Sequence, residues 1–375
     1  MIMKKSEIVA ILTFFSICLI PLALTNTKKN VVSQFDNRKL MEWSDVGESN
    51  FQSMQIENYL HDRIGFRETL ITLDQIWNAA IFGKLTHPLY DFGKDEYVFF
   101  RFDDDYQWEE DTYISLFASV LDRMNQYCEA GGTDFRVMIN PSKEIVYSEY
   151  LPAGVHYKDK NMEVLFSQFD TYGIKYTYTG NELILAKKNT AVFNRKYDAG
   201  HWNDAGAFVG IRKLLIDLSS DGFDIQIPDE DWFYQKKVLK KYLLNSRFPI
   251  NETVEDWLPY EPKTIKDESY DEAIGQIISP LHPHFECRKN IINTQAPRIL
   301  IFRGSYLENR MKFYSDVFSE SLDIIGYDNI SRFDQFYQMF KPDIVVFETA
   351  DYAVSEVLYP SQVLYEALDT IILNS

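Results

Sequence analysis

Cysteine is scarce in this chain: Cys18, Cys128 and Cys287 are the three among 375 residues. Cys18 lies inside an apolar run, so at most Cys128 and Cys287 can pair. A disulfide framework is therefore excluded, and two buried free thiols are the simpler reading. Cationic residues are also in short supply, with 38 Lys and Arg against 56 Asp and Glu and a formal net charge of −18. Nucleic acid is excluded as a partner, because phosphate binding needs a basic surface. The sequence has no internal repeat, low-complexity tract, Walker loop or dinucleotide fingerprint. The six histidines (His61, His87, His156, His201, His282 and His284) are scattered. His282-Pro283-His284 could ligate a metal, but a loop pair without a carboxylate or thiolate partner reads as loop rather than metal site. Neither a metal nor a cofactor is expected.

Apolar residues make up 46% of the chain and aromatics 15%, enough to bury one large core or two small ones and to argue against disorder. Lys4 and Lys5 precede Ile8 to Thr25, which is almost wholly apolar. A run of this length can span a bilayer, with Lys4 and Lys5 on the cytoplasmic side and the rest of the chain outside. Leu22-Ala23-Leu24-Thr25 is a poor cleavage site, so an uncleaved anchor is expected; a cleaved signal and a buried core helix are the alternatives. The division expected is an anchor over 1–28, a stalk and N-terminal helices over 29–90, and one domain over 91–375.

Residues 26–50 are polar and read as an extended stalk. From Phe51 to Gly83 apolar positions recur at helical spacing, interrupted by His61-Asp62-Arg63-Ile64-Gly65-Phe66-Arg67, whose charges read as a solvated or helix-pairing face. Beyond this the chain alternates. Strands are expected at 97–100, 135–139, 174–178, 298–302, 322–325 and 343–347. Helices are expected at 113–127, 161–171, 203–218 and 308–318, the third opening on Asn203 or Asp204 as N-cap. Alternation of this kind argues an α/β fold with a mostly parallel sheet covered on both faces. Residues 220–297 show little periodicity and read as a long insertion. Ligands of such sheets bind beyond the carboxyl ends of strands, where Asn140-Pro141-Ser142-Lys143 and Gly304-Ser305 both fall.

The chemistry concentrates in two places. Tyr197-Asp198-Ala199-Gly200-His201-Trp202-Asn203 puts an acid and a histidine on one loop. Arg298 to Phe302 followed by Arg303-Gly304-Ser305 presents a serine at the end of a buried strand. A serine nucleophile needs a base, and the base needs an orienting carboxylate. Asp198 could hold the His201 imidazole while the other ring nitrogen faces Ser305, and the Ser305 amide, at the start of a following helix, could help form an oxyanion hole. The bland alternative is a turn aspartate, a packed His201–Trp202 pair and an ordinary N-cap serine. Arg303 reads as a salt-bridge partner beside the turn.

Asp198-Ala199-Gly200-His201-Trp202-Asn203 resembles the Asp-x-His-Trp-Asn signature of the SGNH-hydrolase-like AlgX/AlgJ polysaccharide O-acetyltransferases. Asn140-Pro141-Ser142-Lys143, with Tyr147 and Leu151-Pro152, is similar to that family's Pro-x-Lys…Tyr…Leu-Pro stretch. Phe302-Arg303-Gly304-Ser305-Tyr306 falls at its Gly-Asp-Ser-Phe turn, and Lys341-Pro342-Asp343 to Glu348 at its last strand. Asp36-Asn37-Arg38, His61-Asp62-Arg63 and Gly65-Phe66-Arg67 resemble its N-terminal region. The acid-to-histidine spacing here is three rather than two, and no aspartate precedes Ser305. The resemblance implies an SGNH-hydrolase-like α/β fold and an anchored, extracytoplasmic enzyme that moves acetyl groups to a cell-surface polysaccharide. A multi-pass membrane acyltransferase would supply the donor. It implies a catalytic Ser305, His201 and Asp198, with substrate contacts at Lys143, Trp202 and Tyr306; a solvated loop lysine is the alternative for Lys143. A carbohydrate esterase using the same triad and a non-catalytic glycan-binding protein are the other functions open to such a chain.

Overall fold

The computed structural model of the protein describes residues 4–33, 38–47, 52–82, 85, 89–101, 109–157, 160–244 and 248–371. Asp36, Asn37, Phe51, Gly83 and His87 lie outside these. The chain divides into two compact units, residues 1–92 with 240–252 and residues 93–239 with 253–375.

The first unit begins with helix α1 (Lys5–Ala23), none of whose residues is buried. It is long and apolar enough to cross a membrane. Two short strands follow, β1 (Val32–Ser33) antiparallel to β2 (Arg38–Lys39). Helices α2 (Gln52–Arg63) and α3 (Arg67–Phe82) and strand β3 (Tyr90–Phe92) follow, and residues 240–252 complete it. The expectation of an extended stalk does not hold, because Arg63 folds that segment back. Its guanidinium is buried and donates from Nε to Met41 O (2.8 Å), from Nη1 to Lys28 O (2.6 Å) and from Nη2 to Leu40 O (3.0 Å). Asp62 Oδ2 accepts from the Met41 amide at 2.9 Å. A segment with little regular structure leaves carbonyls without partners, and a planar fork of five donors satisfies several at once. Asp62 and Arg63 are thus internal supports, not a solvated face.

In the second unit the strands and helices run β4 (Val98–Phe100), α4 (Asp111–Ala130), β5 (Asp134–Asn140), α5 (Lys143–Val146), α6 (Lys160–Tyr172), β6 (Tyr176–Tyr178), α7 (Gly180–Ala186) and α8 (Asp204–Ser220). Then come β7 (Phe233–Tyr242) and β8 (Pro249–Pro259), whose residues 240–242 and 249–252 belong to the first unit, and β9 (Thr264–Lys266), α9 (Asp271–Ile277), β10 (Phe285–Asn290), β11 (Arg298–Arg303), β12 (Glu320–Ile325), α10 (Phe333–Phe340), β13 (Ile344–Ala350) and α11 (Ser361–Thr370). The main sheet has strand order β6-β5-β13-β11-β12-β10-β9. Its first five strands pair in parallel; β10 and β9 add antiparallel pairs at one edge. Alternate residues of each strand enter opposite cores. Leu300, Phe302, Val345 and Phe347 join a cluster with residues of α4, α6 and α10, while Ile299, Ile301, Ile344 and Val346 join one with residues of α8. A strand buried on both faces reads as a continuous apolar run, which is why β11 and β13 were visible in the sequence.

Two readings of this region are corrected. Residues 220–297 are not simply an insertion: β7 and β8 form a two-stranded sheet, and β9 and β10 extend the main one. The helix expected at 308–318 is replaced by turns and two 3₁₀ segments, Met311–Phe313 and Ser315–Val317. Asn309 has φ of 59°, a left-handed conformation that stops a helix from propagating. Cys128 and Cys287 are buried free thiols.

Helix α8 begins as expected, with Asn203 Oδ1 accepting from the Gly206 amide at 2.9 Å. A Cβ on Gly206 would stand 2.1 Å from Val192 O, so glycine lets the helix start lie against that backbone. Alanine favours a helix by about 1 kcal/mol over glycine, but overpacking costs about 1–3 kcal/mol. Gly206→Ala is therefore expected to lower the thermal midpoint; an unchanged or raised midpoint in a melting curve would contradict this packing.

Candidate active site

Asp198 is the centre of a tight loop. Its Oδ1 accepts from the backbone amides of Gly200 (3.1 Å) and His201 (3.0 Å), and both carboxylate oxygens lie 3.1 Å from His201 Nδ1. The carboxylate thereby keeps a proton on Nδ1 and leaves Nε2 as the basic nitrogen. The expected acid–histidine pairing is present, with a spacing of three closed by an Asx turn.

The loop is pinned from behind by Lys143. Its Nζ donates to Val98 O (2.7 Å), Arg195 O (3.1 Å) and Asp198 O (3.2 Å). Lys143 is 0% exposed, so the substrate-contact role expected for it gives way to a structural one. Trp202 and Tyr306 are each 1% exposed and are corrected in the same way. The Trp202 indole donates to Tyr306 O at 2.8 Å, and the Tyr306 hydroxyl donates toward Gly200 O at 2.5 Å and Pro141 O at 3.2 Å. The His201 and Tyr306 rings lie 5.6 Å apart. Tyr306 thus binds the turn after β11 to the histidine loop, and Ser305 is the residue immediately before it.

Ser305 is half-buried beyond the carboxyl end of β11. The hydroxyls of Tyr327 and Tyr352 interact with its side chain. No helix follows Ser305, so the helix dipole expected behind its amide is missing. The Gly304 amide donates to both Glu348 O (2.9 Å) and Glu348 Oε2 (2.8 Å), fixing the turn against β13. Arg303 is ion-paired with Asp323 at 3.3 Å, as its sequence position suggested, and its Nη1 donates to Gly304 O at 3.2 Å.

Sequence reasoning missed a set of buried carboxyl groups around these elements. Glu348 Oε1 accepts from Asn140 Nδ2 at 2.6 Å. Asp351 Oδ2 accepts from the Ser142 amide at 2.8 Å, and Glu144 Oε1 from the Phe100 amide at 3.3 Å. Burial pushes Glu144, Glu348, Asp351 and Asp323 up to about 7 in each case. An acidic residue completing the apolar strand Ile344 to Phe347 was the available signal for Glu348. Burial also acts on Asp198, but the His201 charge, its ring hydrogen bond and the two amides outweigh it and hold the carboxyl at about 2. For His201, burial lowers the value, and the Asp198 carboxylate more than offsets it, so the imidazole is raised above its ordinary range.

The signs combine. The four raised carboxyls and the raised imidazole contribute stability that is present at lower pH and lost as pH rises through their folded values. Asp198 contributes stability present above about 4 and lost as pH falls toward 2. The thermal midpoint is therefore expected to be highest near pH 4 and to fall as pH rises from about 4 to 7, where the four carboxyls keep their protons in the folded chain but not in the unfolded one. A midpoint that rises from pH 5 to 7 in a melting series would overturn this assignment.

Neither a family model nor a curated protein sequence matches the chain. Solved structures do resemble it. Bacillus cereus PatB1, solved with a sulfonyl adduct, aligns over 71% of this chain and 95% of its own at 15% identity, with a TM-score of 0.52. The O-acetyltransferase domain of Pseudomonas putida AlgJ aligns over 76% of this chain and 100% of its own, also at 15% identity, with a TM-score of 0.50. A DHHW family protein from Eubacterium siraeum aligns over 76% and 95% at 14% identity, with a TM-score of 0.51. At such identities it is the fold that is shared. The α/β architecture expected from the sequence, a central sheet flanked by helices and preceded by an apolar N-terminal helix, is the one observed, and it is shared with the AlgJ O-acetyltransferase domain.

Proposed function

We propose that the protein is an O-acetyltransferase that uses Ser305, His201 and Asp198 to move an acetyl group onto hydroxyls of an extracytoplasmic polysaccharide. The observation that carries this reading is the Asp198–His201 contact at 3.1 Å, tied through Tyr306 to the turn that bears Ser305. The fold shared with the AlgJ O-acetyltransferase domain supports the activity, and PatB1, which takes up a sulfonyl adduct, has the same fold. Helix α1 serves as the membrane anchor. A multi-pass membrane acyltransferase is the partner that presents the donor.

The reaction proceeds in two halves. Ser305 Oγ attacks the carbonyl of the acyl donor while His201 Nε2 takes its proton. The tetrahedral intermediate collapses, the donor leaves carrying the proton from His201, and an acetyl ester remains on Ser305. A sugar hydroxyl then gives its proton to His201 and attacks that ester; His201 returns the proton to Ser305 Oγ as the ester bond breaks, which releases the acetylated glycan and restores the free serine. Asp198 keeps the imidazole oriented and stabilises its charged form. The Tyr327 and Tyr352 hydroxyls supply donors beside Ser305 for the developing oxyanion.

Incubating the full-length protein with an activated acetyl ester should leave one acetyl group on Ser305, read by mass spectrometry. Ser305→Ala should abolish the adduct, and His201→Ala should slow its formation by about 10²–10⁴-fold. Adding the acceptor glycan should accelerate its release; release indifferent to glycan would favour an esterase. Equal labelling of the wild type and Ser305→Ala would remove the triad.

The raised imidazole also sets a pH profile. Since the base must be neutral, acylation should increase with pH through a limb above about 6.5. Asp198→Asn should slow the reaction and move that limb to lower pH. A limb that stays in place would show that Asp198 does not govern His201.

A further inference from the structure

Helix α3 is amphipathic in the inverted sense. Leu70, Leu73, Trp77 and Ile81 recur at spacings of three and four and so form one stripe, which Phe66 leads into. These five side chains are 48–65% exposed. Gln75, on the opposite side of the helix by its spacing, is fully buried. A helix in water buries its apolar stripe and wets its amides; this one does the reverse. Contiguous exposed apolar surface of this kind marks an interaction site.

The junction with α1 indicates what covers it. The Gly65 amide donates to Pro21 O at 2.9 Å, and the Asn26 amide donates to Arg63 O at 2.7 Å. A Cβ on Gly65 would stand 2.6 Å from Leu24 Cβ. The turn that starts α3 is therefore built onto the end of α1. Phe66 and Leu70 line a shared groove with Ile17, Ile20 and Pro21 of α1. If α1 crosses the bilayer with Lys4 and Lys5 on the cytoplasmic side, its end at Ala23 marks the far interface, and α3 begins at that level. Asp74 and Asn78 border the stripe, which suits partial immersion and excludes a second span. Trp77 has the side chain most enriched at lipid–water boundaries.

We propose that α3 is an interfacial helix whose stripe lies in the lipid of the membrane that α1 spans. It rests on the anchor reading of α1 and goes beyond it, because it gives the chain a second, in-plane contact with the bilayer.

The test uses the full-length protein in vesicles of brominated phosphatidylcholine, with tryptophan fluorescence as the readout. Helix α1 holds no tryptophan, and Trp77 is the one tryptophan of α3. Lipid bromine should quench the wild type, and Trp77→Phe should remove most of that quenching. Aqueous iodide should leave the Trp77 component untouched. Quenching of Trp77 by iodide would show a solvated face, and resistance to both quenchers would show a face covered by protein; either result overturns the proposal. Alkaline carbonate extraction reads α1 separately. Extraction of the protein would refute the anchor and the proposal with it. Retention without lipid quenching of Trp77 would refute the interfacial helix alone.

Discussion

Three carbonyl oxygens from two stretches of chain converge on the ammonium of Lys143, and much of the candidate site depends on that convergence. Burying a cation is costly unless its donors are satisfied. Here those donors are spent on Val98, Arg195 and Asp198, so the energy that desolvates Lys143 is returned as order in the loop that carries the histidine. The Asp198 carboxylate is free to face His201 because its own carbonyl is already occupied. One buried residue thereby aligns a strand, a loop and the Asp198–His201 pair.

Tyr306 performs the corresponding task between the two halves of the site. It is held through its carbonyl by Trp202, and its hydroxyl holds Gly200. The residues singled out in the sequence as substrate contacts are instead the struts of the site. The error has a physical cause. A motif lists residue types in order, and a buried tryptophan that donates to a backbone carbonyl has the same letter as one that stacks on a sugar.

The legible parts of the chain were those whose periodicity reports burial. Strands β5, β11 and β13 stand out because both of their faces are covered. Helices α4, α6 and α8 stand out because one stripe is. β7 was illegible because seven of its ten residues are exposed, which leaves no alternation to read. Arg63 was misread because its partners are carbonyls, which every residue has and no sequence pattern advertises. The Asp198–His201 pair was readable because its partners are close along the chain. The carboxyl groups of Glu144 and Asp351 lie far apart in sequence, and only the fold brings them to one place.

The cysteines have a practical consequence. Burial pushes the thiol of Cys287 up to about 12 and that of Cys128 higher still. Since the thiolate is the reactive form, neither offers a target to alkylating reagents while the protein is folded. Cys18, on α1, is exposed. The native chain therefore carries a single addressable thiol, located on the helix whose surroundings matter most. A fluorophore attached there would report on lipid contact or proteolytic loss of that helix without any residue having been changed.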